Sequence, residues 1–147
     1  MIKAFFDSSV LVAASISKTG GSSYLLGLCR QKKIKGLISW DVIGEARKNI
    51  NLKLGLKEKQ RFIFYLKNAN LKLVSEPSVE EISVCEKIIF PKDASILAAA
   101  KKSKADYLVT LDKKHFFQPK VINFAKPLKI ITPKDLIKIL KQGPSKA

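Results

Sequence analysis

At 147 residues the chain has the size of one domain, and with 46% hydrophobic and 8% aromatic residues it can build a core of its own. Its 28 Lys and Arg against 12 Asp and Glu give a formal net charge of +16, which directs it toward polyanions such as RNA or DNA and leaves membrane lipid as the weaker partner. No apolar run approaches the roughly 20 residues of a spanning helix, no basic leader precedes the first segment, and Cys29 and Cys85 lie far apart without CxxC or Cys/His spacing, so the expectations are a cytoplasmic protein, no membrane, two half-buried reduced thiols and no zinc site.

Ile2 to Phe6 reads as a strand, followed by Asp7, Ser8 and Ser9 in a loop and a helix through Val10 to Ala14. Gly20, Gly21 and Ser22 open a second helix with Tyr24, Leu25, Leu28 and Cys29 inward, and Lys32, Lys33 and Lys35 at its end offset the negative pole of the dipole. Gly36 to Trp40 reads as the second strand, and Ser39 or Asp41 caps the helix that carries Glu45. A helix from Lys57 to Asn68 presents Phe62, Ile63, Tyr65 and Leu66, and Leu71 to Val74 returns as the third strand.

Pro77 and Ser78 begin a helix with Val79, Ile82, Cys85, Ile88 and Ile89 on one buried face, and Asp93 opens another that ends in Lys101, Lys102 and Lys104. Tyr107 to Leu111 is the fourth strand and Leu128 to Ile131 the fifth. Thr132 and Pro133 are the N-cap and first turn of a last helix, Lys134 to Leu140, and Gln142 to Ala147 reads as a frayed tail. Strands alternating with helices along the whole chain predict an open parallel sheet covered on both faces, with its site at the carboxyl ends of the strands near the switch in strand order.

Four acids fall where apolar segments end or helices begin: Asp7 after the first strand, Glu45 and Asp93 in first helical turns, and Asp112 closing the fourth strand. In a chain poor in acid, that placement asks for a divalent cation, which takes oxygen ligands. Each acid alone also has an ordinary account as a cap, turn or surface residue. Asp7 is the exception, because Phe5, Phe6, Val10 and Leu11 imply a buried neighbourhood where an unpaired carboxylate is costly.

The residues around these acids resemble the PIN-domain family of metal-dependent nucleases. The resemblance runs through FFDSSVLVAA, ISWDVIGEARKNI and PKDASILAAAKKSKADYLVTLDKKHF to LKIITPKDLIKIL, nearly the whole chain in the family's order. GGSSYLLGL and ITPKDL are similar to the VapC-like branch, the toxin components of toxin–antitoxin pairs. The resemblance implies a PIN-like nuclease domain over residues 1–141, an α/β/α sandwich with a central parallel sheet, and Mg²⁺- or Mn²⁺-dependent cleavage of RNA. Carried over by position, Asp7, Glu45, Asp93 and Asp112 match the family's catalytic, metal-binding acids, and Ser9 and Thr110 the small polar residues that support them. An antitoxin protein and a second copy of the chain are the implied partners, the helix from Lys57 to Asn68 offering either a dimer surface or core. Many relatives have a further acid where this chain has Lys114, which bears on the number of ions.

The chemistry agrees with the resemblance, since a phosphodiester shielded by its own charge is hydrolysed more readily beside a divalent cation. Lys outnumbers Arg by 25 to 3, which favours contact with phosphate over bidentate reading of bases. Lys113 and Lys114 stand at the rim of the expected site, either gripping the RNA strand or as solvated turn charge. His115, the only histidine, has no partner at ligand spacing and reads as a surface or packing residue. Trp40, Phe116 and Phe117 are able to stack on bases, although core packing is the expectation for Trp40 and one of the phenylalanines. A processing nuclease and a non-catalytic RNA-binding module are the alternatives. Phosphoacceptor and nucleotide-loop readings fail, because Ser9 stands where a second Asp is needed and no GxGxxG or GxxxxGK[ST] occurs.

Overall fold

The computed structural model describes residues 1–143. Five parallel strands, β1 (Lys3–Phe6), β2 (Lys35–Ile38), β3 (Lys72–Leu73), β4 (Tyr107–Val109) and β5 (Lys129–Ile131), form one sheet in the order β3-β2-β1-β4-β5. The chain moves from β1 outward to β3, then crosses back to β4 and β5 on the other side of β1. Right-handed crossovers therefore place the helices before β3 on one face and those between β3 and β5 on the other. The strand order reverses between β1 and β4, where an open sheet parts its loops at the carboxyl edge.

One layer holds α1 (Ser8–Ile16), α2 (Gly21–Arg30), α3 (Trp40–Lys53) and α4 (Leu56–Asn68), with α9 (Pro133–Gln142) packed on α2. The other holds α5 (Val79–Glu86) against α6 (Ala94–Lys102), which a 3₁₀ turn at Pro91–Asp93 introduces, followed by α7 (Lys113–Phe116) and α8 (Pro119–Ala125). The result is the α/β/α sandwich with a parallel centre. Ala4, Phe5 and Phe6 of β1 and Leu108 and Val109 of β4 have no exposure, so these strands are covered on both faces and read as continuous apolar runs. The caps are local and legible: Ser39, Ser78 and Thr132 each accept a backbone N–H of the helix that follows.

Several expectations shift. Lys35 opens β2 instead of ending α2, whose last turn carries Arg30. β2 ends at Ile38, so Trp40 begins α3 and is 60% exposed rather than in the core. Tyr24 and Val79 are also exposed, and β4 stops at Val109, leaving Leu111 at the surface. α7 and α8 were not expected: at four and seven residues they are too short to display a helical period. In α4, Phe62 is buried while Ile63 and Phe64 are exposed, so that helix is both core and surface. The helix α9 runs through Gln142 with Gly143 as its C-cap, and the rest of the expected tail, 144–147, lies outside the described residues. Both cysteines are free and buried, and burial pushes the Cys29 thiol up to about 12, as befits an inert packing residue. No helix among the described residues is long and apolar enough to cross a membrane.

Candidate active site

Asp7 leaves β1 and becomes the N-cap position of α1 at 4% exposure, but its side chain caps nothing. Instead Oδ2 accepts hydrogen bonds of 2.8 Å from both Ser9 Oγ and Thr110 Oγ1. The hydroxyls are oriented in turn: Leu111 N–H donates to Ser9 Oγ at 3.0 Å, and Asp112 N–H donates to Thr110 Oγ1 at 3.0 Å. With their acceptor sides engaged by backbone, both protons turn toward Asp7. Two neutral donors hold the carboxylate in place without cancelling its charge, and its other oxygen is left to the cleft.

Asp93 ends the 3₁₀ turn and precedes α6, and Asp112 follows β4 as the N-cap of α7. Asp112 Oδ1 accepts the His115 backbone N–H at 3.1 Å, and its Oδ2 lies 2.9 Å from His115 Nδ1. The same nitrogen stands 3.2 Å from Asp93 Oδ2. A ring nitrogen carries a single proton, and the shorter contact takes it. Asp93 Oδ2 consequently remains buried without a hydrogen bond. Glu45, in the second turn of α3 rather than the first, completes the group with a loose ion pair to Lys92 at 3.7 Å.

Asp7, Glu45, Asp93 and Asp112 line one cleft of ≈ 380 Å³ at the carboxyl edge of the sheet, beside Asn49 and Lys53. A larger depression of ≈ 850 Å³ lies at the opposite edge and is lined by Lys101, Lys104 and Lys129 with a single acid, Asp106, so it lacks the means to hold a cation. Crowding is visible in the acids of the cleft. Burial raises Asp93 to about 6, the His115 side chain opposes this, and the charges of Asp112, Asp7 and Glu45 add to it. Burial and then Asp7 raise Glu45, with Lys92 opposing. A group that repels itself and leaves a buried carboxylate oxygen unpaired fits a divalent cation, which would neutralise the charge and take that oxygen as a ligand.

All four acids named from the sequence thus meet in one cleft, and Ser9 and Thr110 bond to the first of them. Lys113 and Lys114 are exposed at the start of α7, next to Asp112. The correction concerns His115. It was expected to have no partner at ligand spacing and has two: among the described residues Asp93, Asp112 and His115 offer possible metal-donor atoms within 4.8 Å of one another, with Asp7 and Glu45 outside that group, while its ring also packs on Phe90. The signal was the D-x-x-H spacing, because an N-cap acid and the third helical residue adjoin across one turn. Of the aromatics, Phe116 is fully buried and Phe117 partly so.

The family model described as PIN domain matches residues 3–114, which contain every one of these acids. This chain belongs to the PIN domain family. Among solved structures, PAE2754 from Pyrobaculum aerophilum superimposes on this PIN domain with a TM-score of 0.66 at 19% identity, over 96% of each chain. VapBC2 from Rickettsia felis, bound to a DNA fragment from its promoter, gives 0.66 at 18% identity over 89% of this chain and 98% of that one. VapC20 of Mycobacterium tuberculosis, a sarcin–ricin loop cleaving toxin, gives 0.53 at 15% identity over 76% and 91%. At these identities the likeness is one of fold. No curated protein matches the sequence.

Proposed function

We propose that this PIN domain is a divalent-metal-dependent endoribonuclease and the toxin of a toxin–antitoxin pair, working in the cytoplasm against RNA. The observation that carries the reading is the convergence of Asp7, Glu45, Asp93 and Asp112 in one cleft, with Asp93 Oδ2 buried and unpaired. The likeness to VapBC2 and to the sarcin–ricin loop cleaving toxin VapC20 supports the toxin role and an antitoxin partner.

In this reading the four acids hold Mg²⁺ or Mn²⁺. The cation supplies neutralisation of phosphate oxygens and a lower pKa for water. The chain supplies position. Ser9 and Thr110 fix the Asp7 carboxylate, the turn capped by Asp112 fixes that acid, and burial between two helical layers keeps Asp93 from being solvated. Lys113 and Lys114 at the rim hold the phosphates flanking the scissile bond.

The test is incubation of purified protein with structured and unstructured RNAs in Mg²⁺, Mn²⁺ or EDTA, beside Asp7→Asn and Asp93→Asn. Cleavage that needs metal and disappears in both variants is expected, since an amide removes charge while leaving volume nearly unchanged. Full cleavage by both variants, in preparations free of host ribonuclease, overturns the nuclease assignment. Growth arrest on expression without the product of the adjacent reading frame is expected for a toxin; normal growth with an active nuclease refutes that role alone.

A further inference from the structure

The four acids leave part of the site unexplained. His115 Nδ1 lies 2.9 Å from Asp112 Oδ2 and 3.2 Å from Asp93 Oδ2. Its ring is fixed from two sides. It stacks on Phe90, with centroids 4.7 Å apart and planes 11° from parallel, and its backbone N–H is bonded to Asp112 Oδ1 at 3.1 Å. Two ligands at right angles around a cation with bonds of ~2.1 Å are separated by ~3.0 Å, so these are the spacings of neighbouring donors on one ion.

A plain histidine–aspartate hydrogen bond explains only the Asp112 contact. It leaves Asp93 Oδ2 buried, unbonded and beside the same nitrogen. A buried acceptor in that condition is costly, and a cation shared by the nitrogen and both oxygens removes the cost.

We propose that His115 is itself a metal ligand through Nδ1, with Asp93 and Asp112, so that this centre is a mixed nitrogen–oxygen site selecting Mn²⁺ or another transition ion over Mg²⁺. The inference rests on the metal-dependent reading given above and specifies its ion. Mg²⁺ is a hard ion that takes oxygen donors, whereas imidazole suits the transition series. The ligand form is the neutral ring with its one proton on Nε2, so the cation takes the place of the Nδ1 proton that bridges to Asp112 in the free protein, which passes to solvent while solvent supplies Nε2 if that nitrogen is bare.

Because His115 is the only histidine, labelling with ¹⁵N-histidine marks one residue in untagged protein. Mn²⁺ alone is added, and pulsed electron paramagnetic resonance reads the nuclei bound to it. A ¹⁵N coupling of direct ligation is expected, replaced by a ¹⁴N pattern in unlabelled protein and absent in His115→Gln. Calorimetry on His115→Gln should show Mn²⁺ affinity down by roughly tenfold or more and Mg²⁺ affinity little changed, a loss of selectivity that a merely positioning histidine would not produce. Mn²⁺ bound to the wild type without nitrogen coupling overturns the ligand assignment and leaves the acidic metal site standing. Failure of Mn²⁺ to bind the wild type at all overturns both.

Discussion

Asp93 is the residue on which the electrostatics of the cleft can be read most directly. Its folded-state value of about 6 lies above the ordinary 3.8, so between those values the native protein keeps a proton that the unfolded chain has lost. Stability of the metal-free protein from this group is therefore greatest below pH 3.8 and falls as pH rises toward about 6. Urea midpoints in EDTA across that window should decline with pH in the wild type, and Asp93→Asn should remove that part of the slope while melting higher near neutrality. Equal slopes for the two proteins would show that Asp93 is not desolvated. Thr110 gives a complementary case, since its hydroxyl joins Asp112 N–H to Asp7 Oδ2 at 0% exposure. Thr110→Val keeps the shape and deletes both bonds, and denaturant unfolding should show a loss on the order of 1–3 kcal/mol with weaker metal binding. Asp7, Asp93 and Asp112 were legible in the sequence because each stands at the end or beginning of an element, a position that apolar patterning marks, whereas Glu45 sits one turn inside α3 and was carried by the resemblance. His115 was not legible, because its partner in Asp112 is made by a short capped turn and its partner in Asp93 by the sheet bringing distant segments together.

Among the elements, α7 is informative through the two lysines it sets beside the cleft. Lys113 and Lys114 are exposed in a helix of a single turn next to Asp112, and no acid among the described residues forms an ion pair with either. In the proposed reading the two lysines hold a phosphate at the rim of the cleft. Replacing both with alanine should leave stability unchanged or slightly raised and should raise KM for RNA roughly tenfold, about 1.4 kcal/mol. Unchanged KM would return them to solvated turn charge. At β2 the constraint is packing, since a Cβ on Gly36 would lie 2.6 Å from Leu71 Cδ2, 2.7 Å from Cys29 Sγ and 3.1 Å from Phe6 Cε2. Gly36→Ala should therefore cost about 1–3 kcal/mol in thermal or denaturant unfolding, as overpacking forces α2 and the strand after α4 apart. Strand and helix order came through in the sequence because β1 and β4 are apolar runs and α3, α5 and α9 carry side-chain caps at their starts. The connection from β4 to β5 did not, its two short helices being held by the burial of single residues, Phe116 of α7 and Val121 of α8, rather than by a periodic pattern.

For the whole molecule the governing quantity is charge. The excess of 16 positive charges is carried almost wholly by lysines that are spread over both edges of the sheet, and at the amino edge Lys72 and Lys3 lower the pKa of Lys35 by repulsion. Self-repulsion of this kind destabilises the compact chain, and salt relieves it by screening. Binding to RNA responds with the opposite sign, because each lysine–phosphate contact releases a counterion that added salt returns. With about four phosphates of a single strand neutralised, at a slope of roughly −0.7 for each, affinity should fall on the order of fifty-fold as salt rises from about 50 to about 200 mM. Fluorescence anisotropy in EDTA with the Asp93→Asn protein reads this without cleavage, and a thermal melt over the same salt series reads stability. The expected pair of results is a melting temperature that rises or holds while RNA affinity drops steeply. A flat affinity beside a rising melting temperature would mean that the lysines repel one another but do not contact the RNA, and recognition would then have to come from the exposed aromatics at the carboxyl edge, Trp40 and Phe90, whose stacking on bases is insensitive to salt.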